Sequence, residues 1–209
     1  MPGNELIVVA TKDHIVFYNI ELEQVSKILH QQENVYGLTA SPNGQMVAMV
    51  GDNKVLIWDA LTFESINFPF EVLMARNCAF SRDNKYLGVS TTTVLGVYEV
   101  IPTPGGFVFE TRSYTPEEVA YGLISSFDFN PHNSDIVAIG FSNMSPKIYD
   151  FSQDYLGFQT LFLDGEQPGY YNNYKIVEFM PDGKRVASSD YIEGVGLWPG
   201  EPTDSLVYR

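Results

Sequence analysis

Val35-Tyr-Gly-Leu-Thr-Ala-Ser41-Pro42-Asn43-Gly44-Gln45 runs into Met46-Val-Ala-Met-Val-Gly-Asp52-Asn-Lys-Val-Leu-Ile-Trp58-Asp59. A short apolar segment leads into a four-residue turn. Pro42 presets φ there, and Asn43 and Gly44 tolerate a positive one. An apolar strand follows, then a second that ends on an aromatic residue. The pattern recurs. Ser81-Arg82-Asp83-Asn84, Asn130-Pro131-His132-Asn133 and Met180-Pro181-Asp182-Gly183 are further turns, each followed by strand-like residues and by Tyr98, Tyr149 or Trp198. From turn start to aromatic the separations are 17, 17, 19 and 18 residues. A copy truncated at its front begins at Met1 and reaches Tyr18.

Each full copy reads as four strands. The first are Tyr36–Ala40, Arg76–Phe80, Ser125–Phe129 and Lys175–Phe179. The last are Glu64–Phe68, Phe107–Ser113, Gly157–Leu163 and Ser205–Arg209. Val, Ile, Tyr, Phe and Thr dominate these runs, as strands favour. Ile20–Gln31 has some helical spacing, but a strand over Gln24–Leu29 completes the repeat. Pro116–Ala120 reads as a single helical turn. Val100–Gly106 and Gly165–Tyr174 read as long loops that interrupt the period.

The copy containing Trp58-Asp59 resembles a WD40 repeat. It has the run before the turn, the turn itself, Asp52 six residues ahead of Trp58, and the Trp-Asp dipeptide. The other copies are degenerate: Tyr98-Glu99, Tyr149-Asp150 and Trp198-Pro199 replace the dipeptide, and Thr92, Asn143 and Ile192 replace Asp52. Gly-His, the family's other signature, is absent from the sequence. The resemblance implies an all-β propeller, a single domain over residues 1–209, with blades near 1–31, 32–71, 72–115, 116–164 and 165–209. Four blades have four strands and the first has three. Sheets that are apolar on both faces bury them by stacking around an axis. A β-sandwich is the alternative, but it needs no fixed period of ~40 residues. The chain either closes as a five-bladed ring or forms an open arc, as a fragment of a longer propeller or a partner in a composite ring, and the missing innermost strand of the first copy favours the fragment or arc.

Composition bounds the function. The 209 residues carry a formal charge of −14, from 12 basic and 26 acidic side chains. That charge opposes direct binding to nucleic acid or to an anionic membrane. A single Cys excludes an intrachain disulfide and a Cys-based zinc site. No secretion signal or membrane span is read, so an intracellular protein, cytoplasmic or nuclear, is expected. His14, His30 and His132 are scattered and form no metal-ligand pattern. No cofactor motif or phosphate loop is found, so no cofactor, no metal and no catalytic residue are expected.

Two functional classes remain. The first is a non-catalytic scaffold for protein partners. Tyr36, Arg76, Ser125 and Lys175 are equivalent positions at the start of the innermost strands. By the resemblance they lie near the channel mouth, where partners dock. Tyr and Arg are enriched at interface hot spots. Two basic residues there suit an acidic or phosphorylated peptide. Filling the channel is the alternative role for these four. Tyr170 and Tyr171 add candidate contacts in the second long loop, unless they pack over a blade edge. Open blade edges also allow a homodimer or larger complex. The second class is a glycoside hydrolase-like enzyme. Asp128 and Glu178 share one register on adjacent copies and resemble an acid–base pair. Thr39 and Ala79 fill that register elsewhere, so a third carboxylate is missing. Backbone donors or Arg76 and Lys175 satisfy the two acids in the structural alternative.

Overall fold

The computed structural model describes residues 6–30, 34–52, 54–115, 122–152, 158–160, 174–190 and 194–200. Among them there is no helix, and the strands form five antiparallel sheets. The first sheet holds β1 (Leu6–Ala10), β2 (His14–Asn19) and β3 (Gln24–His30). The second holds β4 (Gly37–Ala40), β5 (Met46–Val50), β6 (Val55–Asp59) and β7 (Ser65–Ile66). The third holds β8 (Asn77–Phe80), β9 (Tyr86–Ser90), β10 (Leu95–Thr103) and β11 (Gly106–Tyr114). The fourth holds β12 (Ile124–Phe129), β13 (Ile136–Phe141), β14 (Lys147–Asp150) and β15 (Phe158–Thr160). The fifth holds β16 (Tyr174–Phe179), β17 (Arg185–Asp190) and β18 (Gly194–Pro199). Every sheet is a meander in chain order, an architecture consistent with a β-propeller.

The repeated turns explain the regularity. Ser41 N–H donates to Met46 O, Ser81 N–H to Tyr86 O and Met180 N–H to Arg185 O. Each turn places its fourth residue in the left-handed region: Gly44 at φ 70°, Asn84 at 63° and Gly183 at 67°. Gly and Asn are the residues that accept this backbone. The turn at Asn130 is one residue longer, because Asn130 N–H reaches Ile136 O. That accounts for part of the longer spacing to Tyr149. The Gly183→Ala variant is expected to lose about 1–2 kcal/mol through its forced left-handed φ, since a Cβ there also meets His132 Cδ2 at 2.7 Å. Urea unfolding measures it, and an unchanged midpoint would contradict this account.

Burial sits between sheets. Ile15 and Phe17 of the first sheet pack against Val47, Met49 and Trp58 of the second. The other face of the second sheet, with Met46, Ala48, Val50 and Ile57, packs on Leu87, Val89 and Tyr98 of the third. Tyr86, Leu95 and Val97 then meet Phe127, Phe129, Val137, Ile139 and Tyr149. Ile136, Ala138 and Ile148 meet Val177, Phe179 and Val186. One position on each contributing face stays small: Ala48, Gly88, Ala138. A Cβ on Gly88 would lie 2.5 Å from Phe127 Cε2, so the close approach of the next sheet requires glycine.

Two details differ from the sequence reading. Residues 100–106 are not a loop. They continue β10 and turn tightly into β11, forming a long hairpin. The last strand of the second sheet shrinks to Ser65–Ile66. Phe68 and Phe70 beyond it pack edge-on or tilted against Tyr98 and replace the missing strand residues as cover. Gln24–His30 is a strand, as the repeat requires. The Pro116–Ala120 turn, most of the second long loop and the terminal strand Ser205–Arg209 lie outside the described residues.

Candidate partner-binding site

The innermost strands stand side by side, β4 next to β8, β8 next to β12 and β12 next to β16. They belong to different sheets and do not pair by backbone hydrogen bonds. Side chains join them instead. Asn77 Nδ2 donates to Ser125 O at 3.1 Å, Val177 N–H donates to Ser126 Oγ at 2.9 Å, and Phe179 N–H donates to Asp128 Oδ2 at 2.8 Å. Cys78 belongs to the same seam, with Sγ 3.7 Å from Ala48 O. Burial pushes its thiol up to about 12, so the group is a packing residue rather than a nucleophile.

Tyr36 and Arg76 immediately precede β4 and β8. Each extends its ladder by one bond, Tyr36 N–H to Val50 O and Arg76 N–H to Ser90 O. Since β4 and β8 are neighbours, the two side chains meet. The Arg76 guanidinium carbon lies 4.3 Å above the Tyr36 ring centroid. Tyr36 is exposed and Arg76 half-buried. The ring is fixed from its other end. Its hydroxyl donates to Asp52 Oδ1 at 2.6 Å, and Asn34 Nδ2 donates to Asp52 Oδ2 at 2.6 Å. The Tyr36 and Asn34 bonds hold the Asp52 carboxyl below the usual carboxylate range, with the Arg76 charge adding to them. The guanidinium has no ion pair among the described residues. A cation placed over a clamped ring, with no ion pair among the described residues, is suited to a carboxylate or phosphate.

Asp52 is the residue that sequence reasoning placed elsewhere. It was associated with the Trp58 motif, but its carboxylate serves Tyr36 and Asn34. Ser125 adjoins the pair through the Asn77 bridge. It sits where β12 slips one residue against β13, and Lys175 lies at the corresponding slip between β16 and β17. Tyr170 and Tyr171 lie outside the described residues.

The carboxylate pair reads as structure. Asp128 is held by the Phe179 N–H, and Glu178 is exposed on the fifth sheet. Burial raises the Asp128 pKa, and the Glu178 charge adds to the rise. A raised folded-state pKa contributes stability below the unfolded value, about 3.9, and that contribution is lost as pH rises through the folded value. Asp128→Asn keeps an oxygen for Phe179 N–H and removes the charge. Its stability relative to the parent is therefore expected to grow between pH 4 and pH 7. Urea titrations at both pH values check the sign, and a parent that gains over the variant across that range would refute it.

Among the described residues no cluster of His, Cys, Asp or Glu is arranged to hold a metal ion. No helix in the described residues is long and apolar enough to cross a membrane.

Stacked antiparallel meanders with a clamped cation at the ends of their inner strands define an all-β, propeller-like class of protein. Residues 2–100 match the family described as Eukaryotic translation initiation factor eIF2A, a family associated with WD40-like β-propeller folds. The match covers just under half of the chain and includes Tyr36, Asp52 and Arg76. A comparison with curated proteins gave no match.

Proposed function

We propose that this protein is a non-catalytic scaffold in translation initiation, built from degenerate WD-type repeats and docking a protein partner at Tyr36 and Arg76. The observation that carries the reading is the family match over residues 2–100, which spans the whole Tyr36–Asp52–Arg76 arrangement. The partner segment is acidic or phosphorylated, because a guanidinium on a fixed aromatic ring, without an ion pair among the described residues, selects such groups over neutral ones. Ser125 extends the surface along the inner strands, and Lys175 holds the corresponding register position on β16. The work is cytoplasmic and needs no cofactor. Against the hydrolase alternative stands Asp128, whose carboxylate is engaged by the backbone of the neighbouring sheet.

The test is sedimentation of a translation extract from the source cells, with the purified chain added. The chain is expected in the fractions that hold initiation complexes. Arg76→Glu is expected to lower that co-sedimentation about tenfold or more, the loss of a hot-spot contact. A wild-type chain that stays wholly at the top of the gradient overturns the proposal.

A further inference from the structure

The loop that leads into β8 divides its apolar residues between the core and water. Val72 and Ala75 are buried in the joint between the second and third sheets. Leu73 and Met74 form the tip of the turn between them and are 55% and 56% exposed. Met74 sits in the left-handed region at φ 58°. Glycine or asparagine is the residue that a turn accepts there without strain. Phe63, at φ 60°, uses the same backbone to pack its ring against Phe17. Asn84, at φ 63°, uses it to accept the Asn43 N–H. Met74 keeps the strained backbone with its side chain turned to water.

This tip adjoins the Tyr36–Arg76 clamp, and Asp52 ties the two together. The Asp52 carbonyl accepts the Met74 N–H at 2.7 Å, while its carboxylate accepts the Tyr36 hydroxyl. Arg76 follows Met74 by two residues, so their Cα atoms are at most about 7 Å apart. One residue thus fixes the aromatic seat of a cation relative to a pair of exposed apolar side chains. An extended segment rises about 7 Å over two residues, enough to set an anion on Arg76 and an apolar side chain on the tip. Charge decides which anion. Phosphate dianions are matched by clusters of arginines. Here one guanidinium stands near the Asp52 carboxylate, whose charged form it already favours. A carboxylate, with its single negative charge, fits that balance better than a phosphate.

We infer that the clamp and the Leu73–Met74 tip form one docking surface for an extended peptide segment that carries an aspartate or glutamate and, two residues away, a large apolar side chain. The inference rests on the docking reading of Tyr36 and Arg76 and narrows it. The acid pairs with Arg76, and the apolar side chain covers Leu73 and Met74. Burial at the tip supplies affinity, and the charge pair supplies selection.

An immobilised array of short synthetic peptides, probed with the full chain, tests this. One position is Asp, Glu, phosphoserine or Ser, a position two residues away on either side is Leu, Phe or Ser, and Gly and Ser fill the rest. Peptides with Asp or Glu together with Leu or Phe are expected to hold about tenfold more chain than peptides lacking either group. Arg76→Gln is expected to remove the dependence on the acid and keep the dependence on the apolar residue. Met74→Gly and Leu73→Ser are each expected to do the reverse. Glycine relieves the turn, so the urea midpoint of Met74→Gly is expected to be no lower than the parent's, and its loss of binding is not a loss of fold. The inference is overturned if phosphoserine peptides are held best, if the acid alone suffices, or if nothing is held above the Ser-only control. It is also overturned if Arg76→Gln keeps the dependence on the acid, or if Met74→Gly and Leu73→Ser both bind as the parent does. The first two outcomes leave the docking of an anionic segment standing. The role in translation initiation is judged by the gradient alone, which does not use these peptides.

Discussion

Replacing Tyr86 by alanine is expected to cost about 3–5 kcal/mol, the range for deleting a large buried aromatic side chain. The ring is almost fully buried at the joint of the third and fourth sheets. It stacks on Phe129 with centroids 6.4 Å apart and meets the edge of Phe151 at 5.1 Å. Its hydroxyl crosses the joint and donates to Asp135 Oδ1 at 2.6 Å. Tyr86→Phe separates the two contributions, since it keeps the packing and removes the bond. That variant is expected to lose only about 1 kcal/mol, because Lys85 remains 3.7 Å from the Asp135 carboxylate. Equilibrium unfolding in urea gives both values. Equal losses for the two variants would assign the whole effect to the hydroxyl and would contradict a joint held by packing.

The architecture was legible because the turns are chemically constrained. Gly44, Asn84 and Gly183 recur where the backbone needs a positive φ, and the strands between them keep a steady register. The hairpin at residues 100–106 was misread because Pro102 and Pro104 resemble loop residues. Val100 N–H donates to Lys85 O on the β9 side. Alternation points the nitrogen of Pro102 the same way, beyond the end of β9, where no ladder bond is lost. The sequence also suggested that Tyr36 and Arg76 are equivalent, since they begin successive inner strands. It did not show that they touch, because equivalence in a repeat says nothing of contact across two sheets. The role of Asp52 was hidden for a related reason. Its partners lie 16 and 18 residues away and are brought to it only by the β4–β5 pairing.

Asn130 holds the second large effect, and it gives the joint between the fourth and fifth sheets a test of sign. Its side chain is buried and uses both ends of the amide. Oδ1 accepts from His132 N–H at 2.9 Å and from Asn133 N–H at 3.1 Å, which shapes its own turn. Nδ2 crosses to the fifth sheet and donates to Gly183 O at 2.7 Å and to Gly200 O at 3.4 Å. Two N–H groups on one side and two carbonyls on the other leave a single orientation for the amide. Asn130→Asp keeps the acceptor and replaces the donor by an oxygen facing a carbonyl. At pH 7 the buried carboxylate repels Gly183 O, and a loss of about 3 kcal/mol is expected, as for a charged group left without a partner. Protonation restores a donor, so the folded-state pKa of the new carboxyl lies above the unfolded value of about 3.9. A raised pKa means that the protonated form's contribution is present below the unfolded value and is lost as pH climbs through the folded one. The gap between variant and parent must therefore narrow as pH falls from 7 towards 4, although many proteins weaken in acid. Asn130→Ala has nothing to protonate and must keep its deficit at both ends of the range. If the aspartate variant behaves as the alanine variant does, the Asn130 side chain does not bridge the two sheets through its donor.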